Sequence, residues 1–226
     1  MSNDLKVVNL NMKQNDPHPL HHALLPNPRE CFRLIIFSPS NSGKSNLIKN
    51  IISLDNFGYN RYYKTNIFLF SQTLTLDKIW TDLNIPTSNL YDHYDEELIK
   101  NIMHYSQKTS DGVLLILDDM ITAETAFNNK KCNLLKTLFF QGRHYKVSLI
   151  LVSQKLKEIP ASMRVNASHL ICFDLKNAKE ERDFLEENCG IENVKEKYKV
   201  ATAERFNFLY IDRNTGKAFH NFEQEL

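Results

Sequence analysis

The residues of this chain whose types and spacing could do chemistry are concentrated in "LIIFSPSNSGKSNLIKNIISL", residues 34–54, where one of only six glycines immediately precedes Lys44 and Ser45. Turning a strand into a helix over a short loop aims several backbone N–H groups into one concavity. The helix N-terminus adds the positive end of its dipole, so phosphate oxygens are the natural ligand. The candidate cradle is Ser38, Pro39, Ser40, Asn41, Ser42, Gly43, Lys44, Ser45 and Asn46. Gly43 allows close backbone approach, Lys44 offers a cation to the β and γ phosphates, and the Ser45 hydroxyl can ligate Mg²⁺. The pattern G-x-x-x-x-G-K-[ST] has a glycine where this chain has Ser38. A serine there predicts a strained turn costing on the order of 1 kcal/mol relative to glycine.

Four further groups belong with that loop. Asp118 and Asp119 follow the apolar run Val113–Leu117, which places them at the carboxyl end of a buried strand, the edge where ligands of open α/β sheets gather. Asp118 is the expected Mg²⁺ holder, and Asp119 the base that accepts a proton from an attacking water. An Asp-Asp pair can otherwise cap a loop or helix; the upstream loop decides for chemistry. Gln154 ends the strand "VSLILVSQ" and is a candidate sensor of the γ phosphate, or simply a polar strand end. Arg143, in "FFQGRHY", falls at the amino end of that strand, the wrong edge for its own nucleotide. It can therefore reach developing phosphate charge only in a neighbouring subunit, which implies a ring; the alternative is an arginine favourable to a helix-end dipole. Arg164 in "ASMRVNAS" is a second such candidate.

The elements that must position these groups are legible in the apolar pattern. Strands are expected at 34–37, 66–72, 112–120, 147–154 and 169–173. Helical spacing follows at 44–54, around 76–83, at 95–107 with Leu98, Ile99, Ile102, Met103 and Tyr105 covering a sheet, at 130–141, 177–189 and 192–201. "RFNFLYID" and "KAFHNF" flank Asn214-Thr215-Gly216 as a hairpin. Its Gly216-Lys217-Ala218 repeats the glycine-lysine pair in a turn with no helix behind it. Continuous apolar strands alternating with helices predict an α/β fold, a mostly parallel central sheet with helices on both faces and a C-terminal β-hairpin.

At 226 residues the chain suits one domain, read as an irregular arm over 1–30 and a core over 31–226 whose C-terminal helices and hairpin occupy about 176–226. Charge balance, 28 basic against 27 acidic residues, is not a nucleic-acid signature, although a motor gripping DNA through a few loops can be near neutral. His18, His21 and His22 in the arm lack further ligands at metal-site spacing. Cys31, Cys132, Cys172 and Cys189 have no CxxC spacing and read as reduced core thiols. No apolar run approaches the roughly 18 residues of a membrane span, and the chain reads as intracellular.

Taken together, Lys44, Asp118, Asp119, "GRH" at 142–144 and "LILVSQ" at 149–154 resemble the DNA-packaging ATPases of large DNA viruses and virophages, the viral branch of the FtsK–HerA superfamily, over roughly residues 30–175. The resemblance implies a RecA-like P-loop fold and Mg²⁺-dependent ATP hydrolysis. It further implies a homo-oligomeric ring of five or six subunits that threads double-stranded DNA into a capsid, with capsid vertex proteins as partners. The setting it implies is a viral factory in the host cytoplasm, or the virion. Asp119 stands where many members carry the longer Glu, which implies slow turnover. DNA contacts are not fixed by any motif: Lys130-Lys131, Lys155 with Lys157, and Lys195, Lys197 and Lys199 are the local basic clusters and read as solvated faces. The rival readings are a P-loop kinase acting on a small acceptor and a nucleotide-gated assembly protein with vestigial hydrolysis.

Overall fold

A computed structural model describes residues 24–54, 57–75, 78–80, 83–120 and 133–226. In chain order it contains β1 (Arg33–Phe37), α1 (Lys44–Ser53), α2 (Tyr59–Tyr63), β2 (Ile67–Ser71), β3 (Leu90–Tyr91), α3 (Glu96–Lys108), β4 (Val113–Asp118), α4 (Asn133–Gln141) and β5 (Val147–Ser153). These are followed by α5 (Ala161–Val165), β6 (His169–Phe173), α6 (Ala178–Glu187), α7 (Val194–Ala201), β7 (Phe208–Asp212), β8 (Lys217–His220) and β9 (Gln224–Glu225). Among the described residues the strands form one nine-stranded sheet in the order β3-β2-β4-β5-β1-β6-β7-β8-β9. The first six in that order run parallel, and β7, β8 and β9 continue antiparallel.

The central strands are apolar at nearly every position because both faces are covered. Along β1, Leu34 and Ile36 point to one core and Ile35 and Phe37 to the other. The first core is closed by α1 through Leu47, Ile48, Ile51 and Ile52 and by α2 through Tyr59 and Tyr63. The second is closed by α3, α4, α6 and α7 through residues such as Ile102, Leu138, Phe184 and Tyr198. The Tyr63 hydroxyl, buried beneath the sheet, bonds the Ser148 hydroxyl at 2.7 Å, and the Tyr59 hydroxyl donates to the Pro26 carbonyl, which ties residues 24–30 onto this face.

The expected strands are all present, with small differences elsewhere. Helix α3 is N-capped by Asp95, whose carboxylate accepts from the amides of Glu97 (2.8 Å) and Leu98 (3.5 Å). Tyr105 meets the sheet from its rim: its ring packs edge-on against Phe68 of β2 at 6.0 Å while it stays partly exposed and its hydroxyl donates to Asn66 Oδ1, and Ser106 takes the fully buried position. The helix expected around 76–83 lies partly outside the described residues, and Lys78–Trp80 form a 3₁₀ turn. The helix expected at 130–141 is described from Asn133. Helices α2 and α5 and the two-residue β3 carried no apolar periodicity long enough to read. The C-terminal hairpin is not a separate flap, since β7 pairs along β6 and extends the main sheet. The cysteine expectation needs correction: Cys172 is buried, but Cys31 is half-buried and Cys189 is exposed, because Cys189 lies just beyond the end of α6, where the chain turns outward. Cys132 and the three arm histidines lie outside the described residues.

The entry to β4 is set by Gly112, whose φ of +74° lies in the left-handed region and whose missing Cβ would sit 2.6 Å from the Lys146 carbonyl oxygen. That same carbonyl accepts from the Val113 amide at 2.9 Å, fixing where β4 starts relative to β5. Gly112→Ala therefore combines backbone clash with an unfavourable φ and is expected to cost at least about 2 kcal/mol of unfolding free energy, measurable by urea denaturation of the two proteins side by side.

Candidate nucleotide-binding and hydrolysis site

The site is assembled by the pairing of three parallel strands. Phe37 of β1 pairs with Ser153 of β5, and Asp118 of β4 pairs with Val152 of β5, so the loop after β1, the acids after β4 and Gln154 after β5 leave the sheet at one edge. Strand β5 lies between the other two. Gln154 is thus equidistant in topology from loop and acids, and its side chain spans them: Oε1 accepts from Ser40 Oγ at 2.7 Å and Nε2 donates to Asp119 Oδ2 at 2.9 Å.

The loop itself is held by short-range polar contacts. Ser38 does not adopt the strained turn expected of it. The positive-φ residues in the loop are Asn41 (62°) and Gly43 (100°), while Ser38 extends β1 and its amide donates to the Ser153 carbonyl at 3.3 Å. The Ser38 hydroxyl is fully buried and bonds that of Ser42, which in turn donates to the Pro39 carbonyl at 2.8 Å. The left-handed turn falls later because strand pairing holds Ser38 extended, so the serine serves as a side-chain strut and carries no backbone penalty.

Lys44 begins α1 and is buried, with Nζ donating to the carbonyls of Ser38 (3.1 Å) and Pro39 (3.0 Å). Burial pushes its pKa below the usual lysine value, and the negative charges of Asp119 and then Asp118 oppose that shift. The lysine therefore feels both acids at once. No side chain caps the N-terminus of α1, where Gly43 occupies the cap position; its first amides are left for an anion or water. Ser45 is half-buried in the first turn, and Asn46 is exposed.

Asp118 is buried at the end of β4 and accepts from Ser71 Oγ, at the end of β2, at 3.2 Å. Ser71 was not singled out from the sequence, although it too is a polar residue ending an apolar strand, the signal that marked Gln154. Asp119 has a left-handed φ of 49°, a conformation Asp tolerates better than most residues, which turns the chain away from the strand with the carboxylate beside Gln154. The hard oxygens of Ser45 and Asp118 are the donor types Mg²⁺ takes. It normally uses one or two protein ligands alongside phosphate oxygens and water, so the absence of a three-ligand cluster among the described residues is compatible with such a site.

The two arginines differ. Arg143 is exposed in a 3₁₀ turn at the opposite, amino edge of the sheet and borders a cavity of about 170 Å³ shared with Arg33 and His169. Arg164 is buried on α5, and its guanidinium is committed inside its own subunit: Nε and Nη2 donate to the two Glu187 carboxylate oxygens at 2.9 and 2.6 Å. Nη1 donates to the carbonyls of Leu156 and Ile159. The expectation that Arg164 reaches a neighbour is therefore corrected. Of the lysine clusters, Lys157 pairs with Asp183 at 2.7 Å and Lys155 with Glu158 at 3.3 Å. Lys195 and Lys199 are exposed, and Lys130-Lys131 lie outside the described residues.

A strand–loop–helix cradle that faces an acid-ended strand across one intervening strand defines a P-loop α/β fold. Within that class the chain belongs to the poxvirus A32 protein family, whose model matches residues 23–201. It is 24% identical over 212 residues to the uncharacterized protein 075L of Invertebrate iridescent virus 6, covering 85% of this chain and 77% of that one. Protein 088R of Invertebrate iridescent virus 3, also uncharacterized, is 23% identical over 195 residues, covering 83% and 69%. The fold is similar to that of the genome packaging NTPase B204 from Sulfolobus turreted icosahedral virus 2 in complex with AMP, with a TM-score of 0.64 at 18% identity, covering 86% of this chain and 97% of that one. The DNA-packaging ATPase B204 from Sulfolobus turreted icosahedral virus gives a TM-score of 0.63 at 19% identity, covering 82% and 94%.

Because the buried Arg164 guanidinium holds the Leu156 and Ile159 carbonyls as well as the more exposed Glu187, Arg164→Ala is expected to lower unfolding free energy by on the order of 2 kcal/mol, chiefly from leaving the two carbonyls without their donor. Urea unfolding of dilute protein measures this. Unchanged stability together with lost ATP turnover would return Arg164 to an intersubunit role.

Proposed function

We propose that this protein hydrolyses ATP and uses the free energy to move double-stranded viral DNA into a capsid. The observation that carries the reading is the Ser40–Gln154–Asp119 bridge, which ties the phosphate loop to the acid pair across β5. Membership of the poxvirus A32 family supports the viral setting. The fold shared with a genome packaging NTPase solved with AMP supports the substrate class and the task.

In this reading the uncapped amides of α1 and the loop backbone bind the β and γ phosphates. Lys44 exchanges its two carbonyl partners for phosphate oxygens, which form stronger charge-assisted bonds. Water attacks the γ phosphorus, the bond to the β–γ bridging oxygen breaks, and ADP and phosphate leave. Asp119 accepts the proton lost by the water. Ser45 and Asp118 would hold Mg²⁺, which neutralises phosphate charge when bound, and Ser71 keeps the Asp118 carboxylate oriented. Gln154, bonded to the Asp119 carboxylate and to the loop, is placed to register whether a γ phosphate is present. As an aspartate, Asp119 reaches one methylene less far than a glutamate, so turnover is slow.

Arg143 is the proposed group acting in trans. Its exposure at the amino edge leaves it able to approach a neighbour's triphosphate in a homo-oligomeric ring, whereas it is remote from its own loop. Exposed Lys195 and Lys199 on α7 are available to DNA phosphates.

The test is ATP turnover by the wild type, Lys44→Ala, Asp119→Asn and Arg143→Ala, each with and without duplex DNA. Wild-type turnover is expected to rise with duplex and fall steeply with salt. Lys44→Ala and Asp119→Asn should lose about 10²-fold or more, and Arg143→Ala should lose the DNA-stimulated component. Efficient phosphoryl transfer to a small acceptor in place of water would identify a kinase. ATP binding without turnover would identify a nucleotide-gated assembly protein.

A further inference from the structure

Beside the phosphate loop the structure holds a second feature that hydrolysis does not use. A cavity of about 320 Å³ opens from the outer side of loop residues 39–42 and continues between the end of β6 and the turn joining α7 to β7. Its floor includes Phe173 and Asp174, and one wall is Arg205 and Phe206. The Phe206 ring touches the loop directly: a Cβ at Gly43 would lie 3.2 Å from its Cδ1. The Arg205 guanidinium is stacked over that ring, 4.5 Å from its centroid.

Three properties of Phe206 argue that it is kept for a ligand. It is 42% exposed, so it contributes little to either core. Its φ is +71°, a left-handed conformation unfavourable for an aromatic residue, of the kind that persists where surrounding structure holds a side chain for function. It also carries a cationic plane on its face, an arrangement on which flat π-systems stack readily. The cavity is at the small end of the roughly 300–1,000 Å³ range of ligand pockets. That suits the base and ribose of a nucleotide whose phosphates lie on the loop, better than a whole nucleotide.

We propose that this cavity receives the nucleobase of the bound nucleoside triphosphate, stacked on the Phe206–Arg205 layer. The inference rests on the phosphate-loop reading above and extends it to residues that carry no P-loop motif.

The experiment compares two probes, ATP and inorganic tripolyphosphate, the second having the phosphates but no base. Calorimetric titrations are made of the full-length wild type, Phe206→Ala, Phe206→Trp and Lys44→Ala. Phe206→Ala is expected to weaken ATP between about fivefold and a hundredfold while changing tripolyphosphate by less than about twofold. Lys44→Ala should weaken both. Phe206→Trp should retain ATP binding, with indole emission quenched by ATP and not by tripolyphosphate. Unaltered ATP affinity in Phe206→Ala, or equal losses on both probes, overturns the base assignment while leaving the loop reading in place. A wild type that binds neither probe overturns the loop reading and this inference together.

Discussion

The parallel pairing of β1, β5 and β4 is the constraint on which the site depends. In a parallel sheet every strand presents its carboxyl end to one edge, and register decides which side chains meet there. Here Phe37 stands opposite Ser153 and Val152 opposite Asp118, so loop, glutamine and acids emerge within reach of one another. A slip of one residue between β4 and β5 would turn Asp118 to the other face and separate Asp119 from Gln154. The short Gly112 turn, with the Val113 amide on the Lys146 carbonyl, pins that register at the far end of the strands. Stability at the amino edge and chemistry at the carboxyl edge are thereby linked.

Within the site, polar groups are arranged as struts between elements. Ser38 to Ser42 closes the loop on itself, Ser40 to Gln154 to Asp119 crosses from loop to acids, and Ser71 to Asp118 crosses from β2 to β4. Each bond contributes only about 1 kcal/mol net, but together they tie the loop after β1, Asp118 with Asp119, and Gln154 to one another. Lys44 adds the one buried positive charge among these struts. Its desolvation is only partly opposed by the two acids, and its two carbonyl contacts hold the ammonium beside the loop. In the proposed reading, binding exchanges the two Lys44 carbonyl contacts with little reorganisation of the fold.

The opposite edge of the molecule has its own logic. Arg143 lies exposed beside Arg33, whose pKa is lowered by burial and by the neighbouring Arg143 charge. Two guanidinium groups close together are tolerated most easily where an anion can approach. Arg164, by contrast, is bonded within its own subunit to Glu187 and to the Leu156 and Ile159 carbonyls and acts as a structural clamp between α5 and α6. Two arginines that look alike in sequence thus have opposite electrostatic surroundings.

The sequence by itself determined the alternation of apolar strands and helices, the strand–loop–helix around Lys44, and the acid and glutamine strand ends, because these are local patterns: a run of β-branched and leucine residues, a glycine-lysine pair, a polar residue after five apolar ones. Only the tertiary structure decided that β5 separates the loop strand from the acid strand and that Ser38 is extended and unstrained. The same holds for the commitment of Arg164 to Glu187 and for the placement of Phe206 against Gly43. Those outcomes are set by pairing between residues tens to more than a hundred positions apart. The energy of such contacts resides in register and burial, which no window along the chain contains.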